Sequence, residues 1–297
     1  LTWQCIELTY RVLSPVHIGY RVTGNIQQTR YYIQGINFWG VTVNCIMPYF
    51  QSVDYHGAGE FIRDNIRFGY FYPSVSPEEP LYPVFTNDGC LFGGKTIADS
   101  ITKDNFEAGF ISSLAGTAIA GKTSTAVEGS LHEVEYIAPY HRRQKKPVVF
   151  CGHLFLRKNA VFNGKRIGWN EGDICLREVL REISVGGERR YGFGRLRLHN
   201  DKFLDDNVLW HKWKFDLSNE EPLIYVQEGY NFLLAHFPAE EIKAQGEIEP
   251  LVSRRWSTGG PGRKIVYSGF YWKPGSTVDV NSIFKIGSYG IWRKYAV

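Results

Sequence analysis

The chain has 297 residues, 43% of them hydrophobic and 22% charged, with a formal net charge of +4. That balance belongs to a folded chain and excludes extensive disorder. It also excludes a global field that selects nucleic acid, so any site for a polyanion must be local.

The five cysteines (Cys5, Cys45, Cys90, Cys151, Cys175) are odd in number and contain no C-x-x-C pair. They read as buried free thiols in a reducing cytoplasm. His132, His141 and His153 lack ligand spacing, so neither a metal nor another cofactor is expected. No apolar run reaches the roughly 20 residues of a membrane helix, and the first residues do not have the layout of a signal peptide.

Residues 4–13 alternate and are rich in strand formers, which predicts a strand ended by Ser14-Pro15. A polar loop follows from Tyr20 to Arg30, then a short extended piece at Tyr31-Tyr32-Ile33. Asn37 is the expected N-cap of a helix running to about Pro48, with Phe38, Val41 and Cys45 on one face. A second helix is expected around Phe61 to Arg67. Residues 73–90 carry four prolines and read as an excursion or linker.

Strands are predicted over Leu114 to Ile119, Leu131 to Ile137 and Val148 to Leu156. A polar protrusion at Gly121 to Gly129 and a basic loop at 139–146 separate them. Asn170 is expected to cap a helix to Ile183, with Leu176, Val179, Leu180 and Ile183 facing the core. Arg195 to His199 is the next strand. This order is that of a split βαβ, ferredoxin-like α+β fold with insertions, assigned to residues 1–200. Residues 201–297 read as a second, β-rich unit, with strands at Leu223 to Val226, Tyr230 to Ala235, Lys264 to Trp272 and Phe284 to Trp292. A second ferredoxin-like unit is one form it could take.

The densest chemistry lies at Gly186-Gly187-Glu188-Arg189-Arg190-Tyr191-Gly192-Phe193-Gly194-Arg195-Leu196-Arg197-Leu198, where four glycines and four arginines fall within thirteen residues. Glycine allows the backbone to turn its N–H groups toward one point and to approach a ligand closely. Arginine supplies a fork of donors matched to phosphate oxygens, and bases stack on aromatic rings such as Tyr191 and Phe193. A plain turn with solvated arginines is the alternative. Two further basic clusters, His141 to Lys146 and Arg254-Arg255 with Arg263-Lys264, sit beside glycines or aromatics and favour a polyanionic partner.

The P-loop pattern Gly-x-x-x-x-Gly-Lys-Thr occurs twice, at Gly89 to Thr96 and Gly116 to Thr123. That mechanism needs a strand before the loop, a helix after it and a downstream acid for the metal. Neither copy has that setting, so coincidence is favoured. His17, after a strand, reads as structural or as a ribose contact. Glu133 and Glu135 lie in an alternating strand with no facing acid in evidence.

Leu13-Ser14-Pro15-Val16-His17-Ile18-Gly19 and Tyr32 to Gly40 are similar to the opening motifs of the RAMP superfamily of CRISPR-associated proteins. Gln34 stands where that family usually has Pro, and Asn37 near its usual Ser. Leu91-Phe92-Gly93, the hairpin from Lys122 to Glu135, Phe150-Cys151-Gly152 and Gly186 to Gly194 resemble further motifs, in the family's order, over about residues 13–198.

The resemblance implies a ferredoxin-like, RRM-related fold and a subunit of an antiviral CRISPR interference complex. It implies that the glycine-rich loop and the Lys122 hairpin hold guide RNA (crRNA). Subunits that cut target RNA generally carry an Asp in the loop after the first strand, and Tyr20 to Arg30 contains no Asp, Glu or His. Residues 201–297 resemble the second domain of the subunit that caps the 5′ tag of the guide in type III complexes.

The expected role is therefore a non-catalytic crRNA-binding subunit, contacting other effector subunits and in some arrangements target RNA. A backbone subunit along the spacer is the alternative. A P-loop nucleotide hydrolase or a metal-dependent endoribonuclease are the readings of another class. The candidate RNA contacts are Gly186, Gly187, Arg189, Arg190, Tyr191, Gly192, Phe193, Gly194 and Arg195. To these are added His17, Arg21, Arg30, Lys122, Arg142, Arg143, Lys145, Arg254 and Arg255.

Overall fold

The structure is a computed structural model that describes residues 2–50, 54–87, 89–93, 99–257 and 259–295, with only the backbone of Pro261. Its centre is an antiparallel sheet. Arg195–Phe203, Trp3–Val12, Val149–Arg157 and Ile66–Phe68 lie side by side in that order. Glu182–Ser184 extends one edge, and Tyr72–Ser74 also pairs with Val149–Arg157. Numbered by their place in the chain, the four main strands stand fourth, first, third, second, with two helices between the first and second. The chain is α+β and mostly strand.

Alternation along the first strand assigns its side chains to two cores. Ile6, Leu8, Tyr10 and Val12 face one layer, while Trp3 and Cys5 face the other. Helices Gly35–Ile46 and Tyr55–Asn65 cover the first face through Phe38, Val41, Ile46, Phe61 and Ile62. The second face is covered by residues from the C-terminal third, including Trp210, Trp213, Phe215, Ile224, Phe284 and Trp292. A sheet covered on both faces needs apolar residues at every position, and all but the last residue of Val149–Arg157 are buried.

Several elements differ from expectation for identifiable reasons. The first helix starts at Gly35, with Gln34 as its N-cap, and Asn37 acts from the third helical position by accepting the Gln34 N–H at 3.2 Å. A Cβ at Gly35 would lie 2.7 Å from the Phe68 carbonyl oxygen, so only glycine allows this helix to meet the sheet edge so closely. The second helix begins earlier than expected because Asp54 caps it through the Gly57 N–H at 2.8 Å.

The helix expected from Asn170 to Ile183 is a single turn, Leu176–Val179. Upstream, Gly172 at φ +109° and the Asp173 carboxylate, which accepts the Arg166 N–H, hold a turn. Downstream, Ile183 pairs with Leu196 in the sheet. The apolar spacing of Leu176, Val179, Leu180 and Ile183 thus serves one helical turn and then a strand.

The proline-rich stretch is no linker: Tyr72–Ser74 and Pro83–Thr86 are strands, and the latter pairs with Gly89–Phe92. Tyr230 to Ala235 forms no strand, although Phe232 to Ala235 are buried. Trp213–Asp216 and Ile248–Ser257 are strands the periodicity did not single out.

The first P-loop match includes Lys95 and Thr96, which lie outside the described residues. In the second, Ile119–Ala120 pairs with Thr125–Ala126, so Gly116 to Thr123 runs into a hairpin rather than into a helix. This is not a phosphate loop. Among the described residues no helix is long and apolar enough to cross a membrane, and no His, Cys, Asp and Glu group of three or more could hold a metal.

Candidate nucleic-acid interface

The glycine-rich loop joins Glu182–Ser184 to Arg195–Phe203. Glu188 (φ 55°) and Gly192 (φ 82°) bracket a turn over Arg189–Tyr191. Two glycines are required by close approach. A Cβ at Gly186 would lie 2.2 Å from the His17 carbonyl oxygen, and one at Gly194 would lie 2.0 Å from that of Val185. The Gly187 N–H donates to the His17 carbonyl at 2.9 Å and the Gly194 N–H to that of Pro15 at 2.7 Å. The Gly192 amide bonds within the loop to Arg189.

The Gly187 and Gly194 amides therefore anchor the loop to Pro15–His17, and that of Gly192 closes its turn. They are not presented to a ligand, as the pattern of Gly187, Gly192 and Gly194 led one to expect. What the loop does present is charge and one ring. Arg189, Arg190 and Arg195 are exposed, and Tyr191 is 75% exposed. Arg189 and Arg190 have no carboxylate partner among the described residues, whereas Arg195 lies 3.9 Å from Glu182. Phe193 is buried, edge-on to Tyr136 at 5.5 Å between centroids, so it is a wedge that seats the loop and not a stacking platform.

His17 is likewise internal, at 5% exposure, with Nδ1 2.7 Å from the Glu135 carbonyl oxygen. An RNA contact by its ring is excluded in this conformation. Its role is to brace three elements. The Glu135 carboxylate accepts the Thr29 N–H at 3.2 Å, and Thr29 Oγ1 accepts the Ile18 N–H at 2.9 Å. The glycine loop, the hairpin of Gly19–Thr23 with Ile26–Thr29, and strand His132–Ile137 are thereby fixed to one another.

Glu135 also borders a cleft of about 760 Å³. Arg21 and Arg142 converge there from separate parts of the sequence, joined by Lys103, Lys273, Tyr20 and Glu133. Arg21 bonds neutral Gln28 Oε1 at 2.6 Å, and Arg142 bonds the Ile111 carbonyl at 3.2 Å, so neither charge is cancelled by these contacts. Lys273 is paired with Glu247 at 2.7 Å and Lys103 with Glu107 at 3.6 Å. The Tyr20 ring has the Arg21, Arg30 and Lys273 charges 4.9–5.5 Å from its centroid. Tyr31 donates to Glu107, and burial first, then that carboxylate, raises its phenol well above the ordinary value. The cleft can grip phosphate at its cations, offer a ring to a base, and accept hydrogen bonds from base amino groups at its carboxylates.

Two expected contacts are buried ion pairs instead. Arg30 is 8% exposed and donates to Glu249 at 2.5 Å, and Arg255 is 6% exposed and paired with Glu60. Glu249 Oε1 also lies 2.5 Å from His236 Nε2, while Tyr70 Oη is 2.6 Å from His236 Nδ1. A neutral His236 with its proton on Nε2 satisfies both contacts. Burial holds this imidazole down to about 4, against the upward pull of Glu249.

Lys122, Arg143, Lys145 and Arg254 are exposed. Lys122 lies between the short paired strands of the protruding hairpin. Arg143 bonds Asn105 Oδ1 at 3.2 Å, and Arg254 bonds the Gly262 carbonyl at 3.3 Å. Sequence reasoning missed Tyr20, Lys103 and Lys273. Lys273 is more than 240 positions from Tyr20, and no local pattern links them.

No family model and no curated protein matches the sequence. Solved structures do. One chain of the type III-B Cmr-beta complex bound to cognate target RNA superposes with a TM-score of 0.53 at 14% identity, covering 92% of this chain and 86% of that one. A chain of the same complex bound to cognate target RNA and AMPPnP gives 0.56 at 11% identity, covering 97% and 99%. At these identities the shared property is the fold, over nearly the whole of both chains.

Proposed function

We propose that this chain is a non-catalytic guide-RNA-binding subunit of a type III CRISPR effector complex, seated at the 5′ tag of the guide. The observation that carries the reading is the loop itself: Arg189, Arg190 and Tyr191 stand exposed on a segment locked to His17, and no carboxylate among the described residues pairs with either arginine. The cleft holding Arg21 and Arg142 is joined to the loop through His17 and Glu135, and extends the track.

The fold shared with Cmr-beta chains supports the assignment, as does the fourth–first–third–second strand order of a ferredoxin-like RAMP domain. The ordered motifs between Leu13 and Leu198 point the same way. The lack of Asp, Glu and His from Tyr20 to Arg30 supports a binding role over cleavage. Its partners are then crRNA, neighbouring effector subunits and, near the spacer, target RNA; its compartment is the cytoplasm.

The test is guide binding over a range of salt concentrations by the wild type and by Arg189→Ala/Arg190→Ala. The variant is expected to bind more weakly with a shallower salt dependence. Unchanged binding at every salt concentration would remove the loop from the interface.

A further inference from the structure

The basic hairpin Arg254 to Lys264 belongs to a long ribbon, Ile248–Ser257 paired with Gly260–Trp272. Its inner face is buried: Leu251, Tyr267 and Tyr271 join the main core, and Glu249 and Arg255 are in internal ion pairs. A solvated outer face of an antiparallel sheet is ordinarily polar. Here it is apolar. Pro250 stands opposite Phe270, with Ile248 and Val252 on either side of it on the same face. Phe270 is 67% exposed, Val252 60% and Ile248 48%. Ile265, opposite Arg254, continues the stripe at 50%.

Such a contiguous stripe is an interaction surface rather than scattered surface hydrophobicity. Ile248–Ser257 is also the outer strand of its sheet, and Pro250 lacks the N–H with which a further strand would pair. Recognition therefore falls to the face, not the edge.

Charge decides the occupant. Glu249 is the only acidic residue between Ile248 and Trp272, and it is buried. Arg254, Arg263 and Lys264 are exposed near the turn of the ribbon, with no carboxylate partner among the described residues. Phe270 is the single ring in a stripe otherwise made of Ile248, Pro250, Val252 and Ile265, and cations beside a mainly aliphatic surface describe a protein contact more than a row of stacked bases.

We propose that the outer face of this ribbon docks a neighbouring protein subunit whose contact surface is an apolar ridge flanked by carboxylates. The proposal rests on the effector-subunit reading for the identity of the neighbour. On this proposal Arg254, expected from the sequence to extend the RNA track, faces a protein instead, while Arg255 is turned inward to Glu60.

The test uses the full chain, tagged and co-expressed with the other subunits and guide of its complex, as wild type and as Val252→Asp/Phe270→Asp. Both positions are exposed, so the fold should persist, and the thermal melt checks this. The expected result is a drop of about tenfold or more in recovery of at least one subunit with an acidic surface, while the isolated variant binds guide RNA like wild type. A photo-reactive residue at position 252 of the otherwise wild-type chain should cross-link to that same subunit, whatever the stability of the double variant.

Wild-type recovery of every subunit, a cross-link to RNA, or a cross-link to a second copy of this chain would each overturn the proposal. Failure of the functional reading looks different. There, neither wild type nor variant binds guide RNA, while the cross-link to an acidic protein is unaffected.

Discussion

Arg30 and Glu249 stand 219 positions apart in the chain and form a buried ion pair 2.5 Å long. It ties the N-terminal layer to the ribbon of Ile248–Trp272 at the wall of the cleft. Removing one member of such a pair leaves a buried charge uncompensated. Arg30→Met should therefore cost about 3 kcal/mol in chemical denaturation. Adding Glu249→Gln should recover part of that loss, because the stranded charge is gone. A single-variant loss under about 1 kcal/mol would mean that water reaches the pair.

The same cluster predicts a pH dependence. His236 is held at about 4 in the folded chain, below the ordinary value near 6.5. The unfolded chain then binds more protons, so stability is full above about pH 6.5 and falls as pH drops toward 4. Glu249 is lowered as well, and its contribution is lost in the same direction at more acidic pH. Denaturant midpoints between pH 7 and 4.5 should decline for wild type and decline less steeply for His236→Gln. Equal slopes would contradict the burial of a neutral imidazole.

Glycine positions in the loop should separate by what surrounds them. Gly194→Ala places a methyl 2.0 Å from the Val185 carbonyl at φ +84°, and should cost about 2–3 kcal/mol along with guide binding. Gly192→Ala shares a positive φ but meets open space, and should cost about 1 kcal/mol with the loop intact. Thermal melts of the two variants check the order.

Some of this was legible in the sequence. The strands at 4–13, 131–137 and 148–156 announced themselves because a sheet edge or layer imposes alternation or continuous burial on the residues themselves. The helix expected from Asn170 did not form because Ile183 satisfies a helical spacing and a strand pairing equally well, and only its partner Leu196 decides between them. The loop was found by its composition, but the work of its glycines was misread. A positive φ beside the carbonyl of His17 and an amide aimed at phosphate demand the same residue. Arg30 and Arg255 looked like free cations because Glu249 and Glu60 lie about two hundred positions away, beyond any local pattern.

Charge at the loop should be separable from fold. Arg189→Ala/Arg190→Ala removes two exposed side chains, so stability should change by no more than about 0.5 kcal/mol. The slope of log affinity against log salt should fall by about 0.7 for each phosphate of a single strand that the variant no longer neutralises. Isothermal binding at three or more salt concentrations reads the slope, and a denaturant titration of the same preparation reads the stability.

The most direct measurement is a footprint of end-labelled guide RNA on the purified chain, with Arg189→Ala/Arg190→Ala alongside. Protection confined to the 5′ tag by wild type, and weakened in the variant, is the predicted result. Protection spread along the spacer, or a 5′ footprint that the variant retains in full, would contradict the assignment of this loop to the guide's 5′ end.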